Sequence, residues 1–547
     1  MLRSSASCFG RSRYASRLAS SFLISCVLLG LTTGAGAQKL ARKYFEQPRF
    51  GFRVKSLDGF TPVPPKPDEE ARGYVVKMSG PGLYVLTEQG DNVNYTPSLN
   101  ILRYADETVG EEEEGRSRST KRKNVDKFLD SYYKGLKPDK PLLDEEKKIK
   151  KLVARHRQFE ARTAGGFNLL QFIDVWTFKL DDADIHLIYS INEKKSKKYL
   201  KVFEKSAKTF SLIERVAAKT GGSLNTYEEK LAYHKEDAAL IPGWRALPVP
   251  SEKYIIKTSS DNKKFINEVI KRLESSRLLY EKDFPPPGEL DHVSIVRICG
   301  SADEFHEYGN TSRGVAGWFN PRSTELVLYD SVETNRNSTY AVMSHEAFHQ
   351  YCHFLFRESE AHRWFDEGHG DYYGGAKFKR KKAEITSKMP AGLNRLSVIK
   401  DMVRNGDYKP VEEHINYTHS EWQSQGPSNV SCYAQSWSII FMLRQGTLGK
   451  LNKRVWKKEY ARIIPAYVET LSSGFANAYV EILAEREKRA KENKRELTEE
   501  ERDINRRDLS KDQKDDIWKK AMEASWGTVD IDEFEQKWLI YVKDFLK

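Results

Sequence analysis

One spacing constrains this chain more tightly than any other. His345 and His349 stand four residues apart, and Glu367 follows 18 residues after the second of them. Around the pair, Tyr340, Met343, Ala347, Tyr351 and Leu355 recur every three or four positions, the period of a helix with one face turned to a core. Asn337 or Ser338 stands where such a helix is expected to be capped. On that helix the two imidazoles project from the same side, one turn apart. The interval to Glu367 is enough to finish the helix, turn and return along a second one, "RWFDEGHGDYYGG" over 363–375. Asp371, four residues beyond Glu367, shares its face there. The chain must therefore fold so that two successive helices meet where these side chains are.

Two imidazoles in that relation can hold a zinc ion. Glu346 sits one residue around from His345, beside the ion without binding it, where a carboxylate can take a proton from water. A catalytic zinc needs a third protein ligand and one open position, and Glu367 supplies the carboxylate. Asp371 can accept the outer N–H of a ligand histidine and fix its tautomer, and Asp366 is a second candidate for that duty. Two other readings stay open on residues alone. One is a closed structural site with His353 as fourth ligand, and the other is a surface helix carrying two hydrogen-bonded histidines.

The rest of the chain frames this segment. At 547 residues it suggests two to four domains, and 39% apolar with 12% aromatic residues suits a folded protein. The formal net charge is +12, of which Arg3, Arg11, Arg13 and Arg17 contribute four, leaving +8 for residues 38–547. Acids and bases alternate, as in "DEEKKIKK" and "EREKRAKENKREL", which reads as solvated helix faces and argues against a nucleic-acid surface. The four arginines precede the apolar "SFLISCVLLGLTTGAGA" and the small-x-small site Ala35-Gly36-Ala37, so an export signal cut after Ala37 is expected, with the mature chain secreted or periplasmic. Lipid attachment at Cys26 is the alternative. No later stretch has 18 consecutive apolar residues, so no membrane span is expected in the mature chain. Cys299, Cys352 and Cys432 then remain, too few for a disulfide framework; they read as buried thiols, with one bridge between Cys352 and Cys432 as the alternative.

The expected organisation has six parts. After the signal (1–37) come a β-rich unit (38–108), a charged linker and helix (109–160) and a small α+β unit (161–247). In the last of these "FIDVWTFKL" and "DIHLIYSI" alternate as strands and "KKYLKVFEKSAKTFSLIERVA" takes a helical period. From 248 to 482, "KYIIKTS", "DHVSIVRICG", "GVAGWF" and "TELVLYD" are strands and the later elements are helices, an α+β order with a small mixed sheet. The charged 483–547 completes that domain as docked helices.

"HEAFH…WFDEG" resembles the gluzincin metallopeptidases, whose pattern is H-E-x-x-H followed by a third ligand in a W-x-x-E-G-type helix. "CYAQSWSIIFML" (432–443) is similar to the tyrosine-bearing helix of their aminopeptidase branch. The nearest likeness is to a group of exported bacterial proteins within the peptidase MA-like clan, and it covers roughly 250–480. It implies a zincin-like catalytic domain preceded by one or two small α+β units, with Zn2+ on His345, His349 and Glu367 and with Glu346 as general base. It also implies that Tyr433 stabilises the tetrahedral intermediate, and that the substrate is a peptide or protein. Two departures matter. Cys352 and Leu355 stand where a metzincin needs Gly and His, and "GVAGWF" has no acid where aminopeptidases anchor a free amine, which favours cleavage within a chain. "GDYYG" also resembles enzymes with an aspartate as third ligand, which would be Asp371, although the W-x-x-E-G context favours Glu367. A non-catalytic exported binding protein that keeps the fold is the alternative function.

Overall fold

The computed structural model describes residues 38–547 except 71, 88–89, 110–118, 164–167, 217–225, 287–291, 310, 312–314, 332–335, 380–381, 389–393, 426–429, 503 and 505–507. The export signal expected over 1–37 and most of the expected linker lie outside the described residues. The architecture is α+β, with several sheets and a helical C-terminal half.

The front half is built on one eight-stranded antiparallel sheet. Its order is Thr61–Val63, Tyr74–Ser79, Ser98–Val109, Ala183–Asn192, Leu170–Lys179, Leu152–Arg162 and Leu143–Ile149, with Ser119–Arg122 paired to the outer part of Ser98–Val109. This corrects the expected subdivision. The boundaries at 108/109 and 160/161 both fall within strands, and Ser98–Val109 pairs directly with Ala183–Asn192. The lysine- and glutamate-rich 125–160 is helical only over Val125–Tyr132. In Leu143–Ile149 exposed and half-buried residues alternate with period two, so the charged composition disguises a strand whose outer face carries long side chains. The helix expected from "KKYLKVF" onward ends at Ala207, and Ser211–Leu212 pairs as a strand with Phe52–Val54.

A second, five-stranded sheet carries the site. Its order is Arg245–Pro248, Tyr254–Thr258, Ser294–Cys299, Glu325–Tyr329 and Gly317–Asn320, parallel among the three central strands and antiparallel at both edges. The boundary expected at 247/248 therefore also falls within a strand. Side chains alternate between its faces. Tyr254, Ile256, Val296, Ile298, Leu326 and Leu328 enter the core beneath the helices. Ile255, Ile295 and Val327 enter the core shared with Trp176 and Phe178 of the front sheet. Burial on both faces is the normal condition of parallel strands and explains their unbroken apolar runs.

Lys263–Asp283 and Arg336–Leu355 cover the first of these faces. The second of them, the histidine helix, runs from Arg336, so the cap candidates Asn337 and Ser338 lie in its first turn. Arg363–Gly374, the glutamate helix, packs on it, and Val430–Thr447 packs on the glutamate helix in turn. Ile463–Glu492, Lys511–Ser525 and Ile531–Ile540 close the domain, with Trp526, Phe534 and Trp538 in the same core. Cys299, Cys352 and Cys432 are buried free thiols. Among the described residues no helix is long and apolar enough to cross a membrane.

Candidate metal centre

The histidine helix is anchored on both sides of the site. Tyr280 Oη donates to the Ser344 carbonyl at 2.7 Å, and Gln350 Nε2 donates to the carbonyls of Thr324 at 2.8 Å and Ile295 at 3.1 Å. A buried glutamine joining the helix to the parallel strands fixes the rotation that presents His345 and His349 outward. Opposite them, Gly370 of the glutamate helix has no side chain for a physical reason: a Cβ there would lie 2.9 Å from His345 Cε1 and Nδ1. Gly368 plays the same part on the other side, where a Cβ would come within 3.0 Å of the Ser436 carbonyl oxygen. The "EGHGD" segment thus lets one helix touch both neighbours at backbone range.

Each imidazole is held from behind by its own carboxylate. His345 Nδ1 lies 3.1 Å from Asp371 Oδ1, and His349 Nδ1 lies 2.7 Å from Asp366 Oδ1. Donation of Nδ1–H to an acid assigns the tautomer and leaves the lone pair on Nε2. The two Nε2 atoms are 2.9 Å apart, and Glu367 Oε2 lies 3.2 Å from the first and 3.4 Å from the second. That carboxylate oxygen is buried and accepts no aligned hydrogen bond. Two lone pairs and a carboxylate oxygen pointed at one spot repel one another unless a positive charge sits between them. The surrounding charges agree: of the four acids Glu346, Asp366, Glu367 and Asp371, Glu367 pairs with the Arg363 guanidinium and Asp371 with that of Arg395 among the described residues. This donor set fits a divalent, nitrogen-accepting ion such as zinc.

The titration behaviour reports the same demand for positive charge. Burial disfavours charge on His345, but the carboxylates of Asp371 and Glu367 outweigh it and raise the imidazole to about 9. His349 is raised well above its usual range because Asp366 and Glu367 overcome its burial. Burial would raise Glu367, yet the two imidazoles hold it well below the usual carboxylate range.

The group opens into a cleft of about 350 Å³ bounded by Phe319, Glu346, Cys352, Arg363, His419 and Tyr433. Glu346 accepts the Phe319 N–H at 3.0 Å, and burial pushes its carboxyl upward against the pull of His345 and His349. The negative charge of Glu367, then burial, keeps the Tyr433 phenol protonated. Its ring centroid is 6.3 Å from that of His345, and the Arg395 guanidinium lies 4.9 Å from it.

The open readings are now separable by position. Asp371 lies on the Nδ1 side of His345, so Glu367 and not Asp371 faces the imidazole pair. His353 packs against Phe319 at 5.4 Å and stands outside the convergent group. His369 is wholly buried against Phe348 and Phe365, so it faces no substrate. His362 makes a local polar contact with Tyr467 Oη at 2.9 Å. The sequence reasoning missed Arg395, whose Nε donates to Asp371 Oδ2 at 2.6 Å. Nothing in its local sequence marks it. It also missed Arg363, which donates to Glu367 Oε1 at 3.2 Å and contacts His419. The spacing of four from Arg363 to Glu367 was a usable signal.

Searches against models of known families and against curated proteins found no match to this chain.

Proposed function

We propose that the chain is an exported zinc-dependent peptidase of the gluzincin type that hydrolyses bonds within peptide or protein substrates. The observation that carries this reading is the meeting of His345 Nε2, His349 Nε2 and Glu367 Oε2 at one point beside Glu346. Those three residues would hold Zn2+, which supplies a Lewis acid for the scissile carbonyl and lowers the pKa of water toward about 7. Glu346 is the general base. It takes the proton of the attacking water and returns it to the leaving nitrogen, and its upward-shifted carboxyl suits both steps. The Phe319 N–H holds one Glu346 oxygen and aims the other. Tyr433, kept protonated, donates to the oxyanion that forms on the carbonyl. Asp366 and Asp371 hold the ligand imidazoles in register.

Gly317–Asn320 is an edge strand beside this group and offers an extended peptide a strand to pair with. Residues 315–320 (Val, Ala, Gly, Trp, Phe, Asn) carry no acid to anchor a terminal amine, which supports internal cleavage. The test is proteolysis of unfolded casein by the purified chain, with and without a chelator. Cleavage that Glu346→Gln abolishes while zinc stays bound supports the reading. Stoichiometric zinc with no cleavage of any peptide library replaces it with a binding protein, and a chain that takes up no transition metal removes both.

A further inference from the structure

A second cavity, of about 360 Å³, lies between the front half and the face of the five-stranded sheet that points away from the histidine helix. Several charged groups line it, and most are matched. Lys257 Nζ is 2.6 Å from Asp237 Oδ2, Arg297 Nη2 is 2.7 Å from Glu325 Oε1, and Arg103 Nη2 is 2.9 Å from Asp182 Oδ2. Glu70 is the acid left over, since no ion pair to it occurs among those of the described residues, and like Arg49 it stands at the exposed rim of the cavity. Burial and the like charge of Asp237 push the Glu70 carboxyl up to about 7. Lys257, Arg297 and Arg49 pull the other way without offsetting these two effects, and a carboxylate so held is stabilised in its ionised form by a further cation that fits beside it.

Two further acceptors border the same space. Gln47 is 1% exposed, and its Nε2 donates to the Leu240 carbonyl at 2.7 Å while its Oε1 accepts nothing. His234 is held neutral because burial lowers its pKa to about 4, and its buried Nδ1 has no partner. The rings of Tyr74 and Tyr233 form part of the wall. An ammonium group has three N–H donors and no acceptor, and aromatic faces attract it. This complement of acceptors and rings answers that description.

We propose that the cavity binds a small organic cation bearing a primary ammonium group, with the Glu70 carboxylate, Gln47 Oε1 and His234 Nδ1 as its acceptors. The site is independent of the metal centre. The test is calorimetric titration of the full chain with ethylammonium chloride and with putrescine dihydrochloride, alongside sodium acetate and phosphate. Binding of an ammonium probe is expected, with Kd weakened about tenfold or more by Glu70→Gln, the loss of a hydrogen bond to a charged group. Glu346→Gln is expected to bind the probe as the wild type does. If Glu70→Gln lowers the melting midpoint, Gln47→Leu carries the same reading. The proposal is overturned by the absence of ammonium binding at millimolar concentration, by affinity unchanged in the variants, or by acetate or phosphate binding in place of the ammonium probes.

Discussion

Replacing Gly370 by alanine tests the metal centre at its narrowest point. The new Cβ would stand 2.9 Å from His345 Cε1 and Nδ1, a separation that real side chains do not sustain. Relief to ordinary contact requires the ring to withdraw by about half an ångström. Metal–ligand distances tolerate only ~0.2 Å, and His345 Nε2 must keep its place relative to Glu367 Oε2, 3.2 Å away. Zinc affinity should therefore fall about 10–100-fold, or ~1.4–2.8 kcal/mol. Against this, alanine improves an interior helical position by ~0.5–1 kcal/mol. The metal-free variant should thus unfold within ~2 kcal/mol of the parent, since overpacking costs ~1–3 kcal/mol. Competition against a chromophoric chelator measures the affinity, and urea unfolding of the metal-free chain measures the stability. Wild-type zinc affinity in Gly370→Ala would refute the geometry argued for the site.

Three further outcomes are expected. Tyr433→Phe should lower kcat by about 10²–10³-fold, with KM and zinc content unchanged, as steady-state kinetics on a peptide will read. Arg395→Met leaves the buried Asp371 without its 2.6 Å partner and should destabilise the metal-free chain by ~3–5 kcal/mol in urea unfolding. His186 is wholly buried and burial lowers its pKa to about 3, so the folded state refuses a proton that the unfolded chain binds below about 6.5. Its contribution is full above that pH and is lost as pH falls toward 3, at up to ~1.4 kcal/mol per unit. Stability measured between pH 6 and 4 should therefore decline less steeply, by about one proton, in His186→Leu.

Much of the site was legible because it is local. The helical period from Tyr340 to Leu355 places His345 and His349 on one side, and the return to Glu367 and Asp371 needs only a second helix. What was illegible depends on partners far along the chain. Arg395 reaches Asp371 across 24 residues with no pattern in between, and the strand bearing Phe319 supplies an N–H whose role appears only once it lies beside Glu346. The front half was misdivided for a different reason. In Leu143–Ile149 and Leu152–Arg162 charged residues occupy the exposed positions of paired strands, so composition suggested a helix where the period is two. Ser98–Val109 and Ser119–Arg122, which flank the linker-like composition, pair with each other as strands.

The doubly buried sheet makes the front half inseparable from the rest. Ile255, Ile295 and Val327 share one buried cluster with apolar side chains of the front sheet, among them Trp176 and Phe178. A shortened version beginning near Arg245 would turn this slab toward water and invite clumping long before the metal centre could be assayed. Anyone seeking a minimal form of this protein should trim surface loops and leave the N-terminal strands in place.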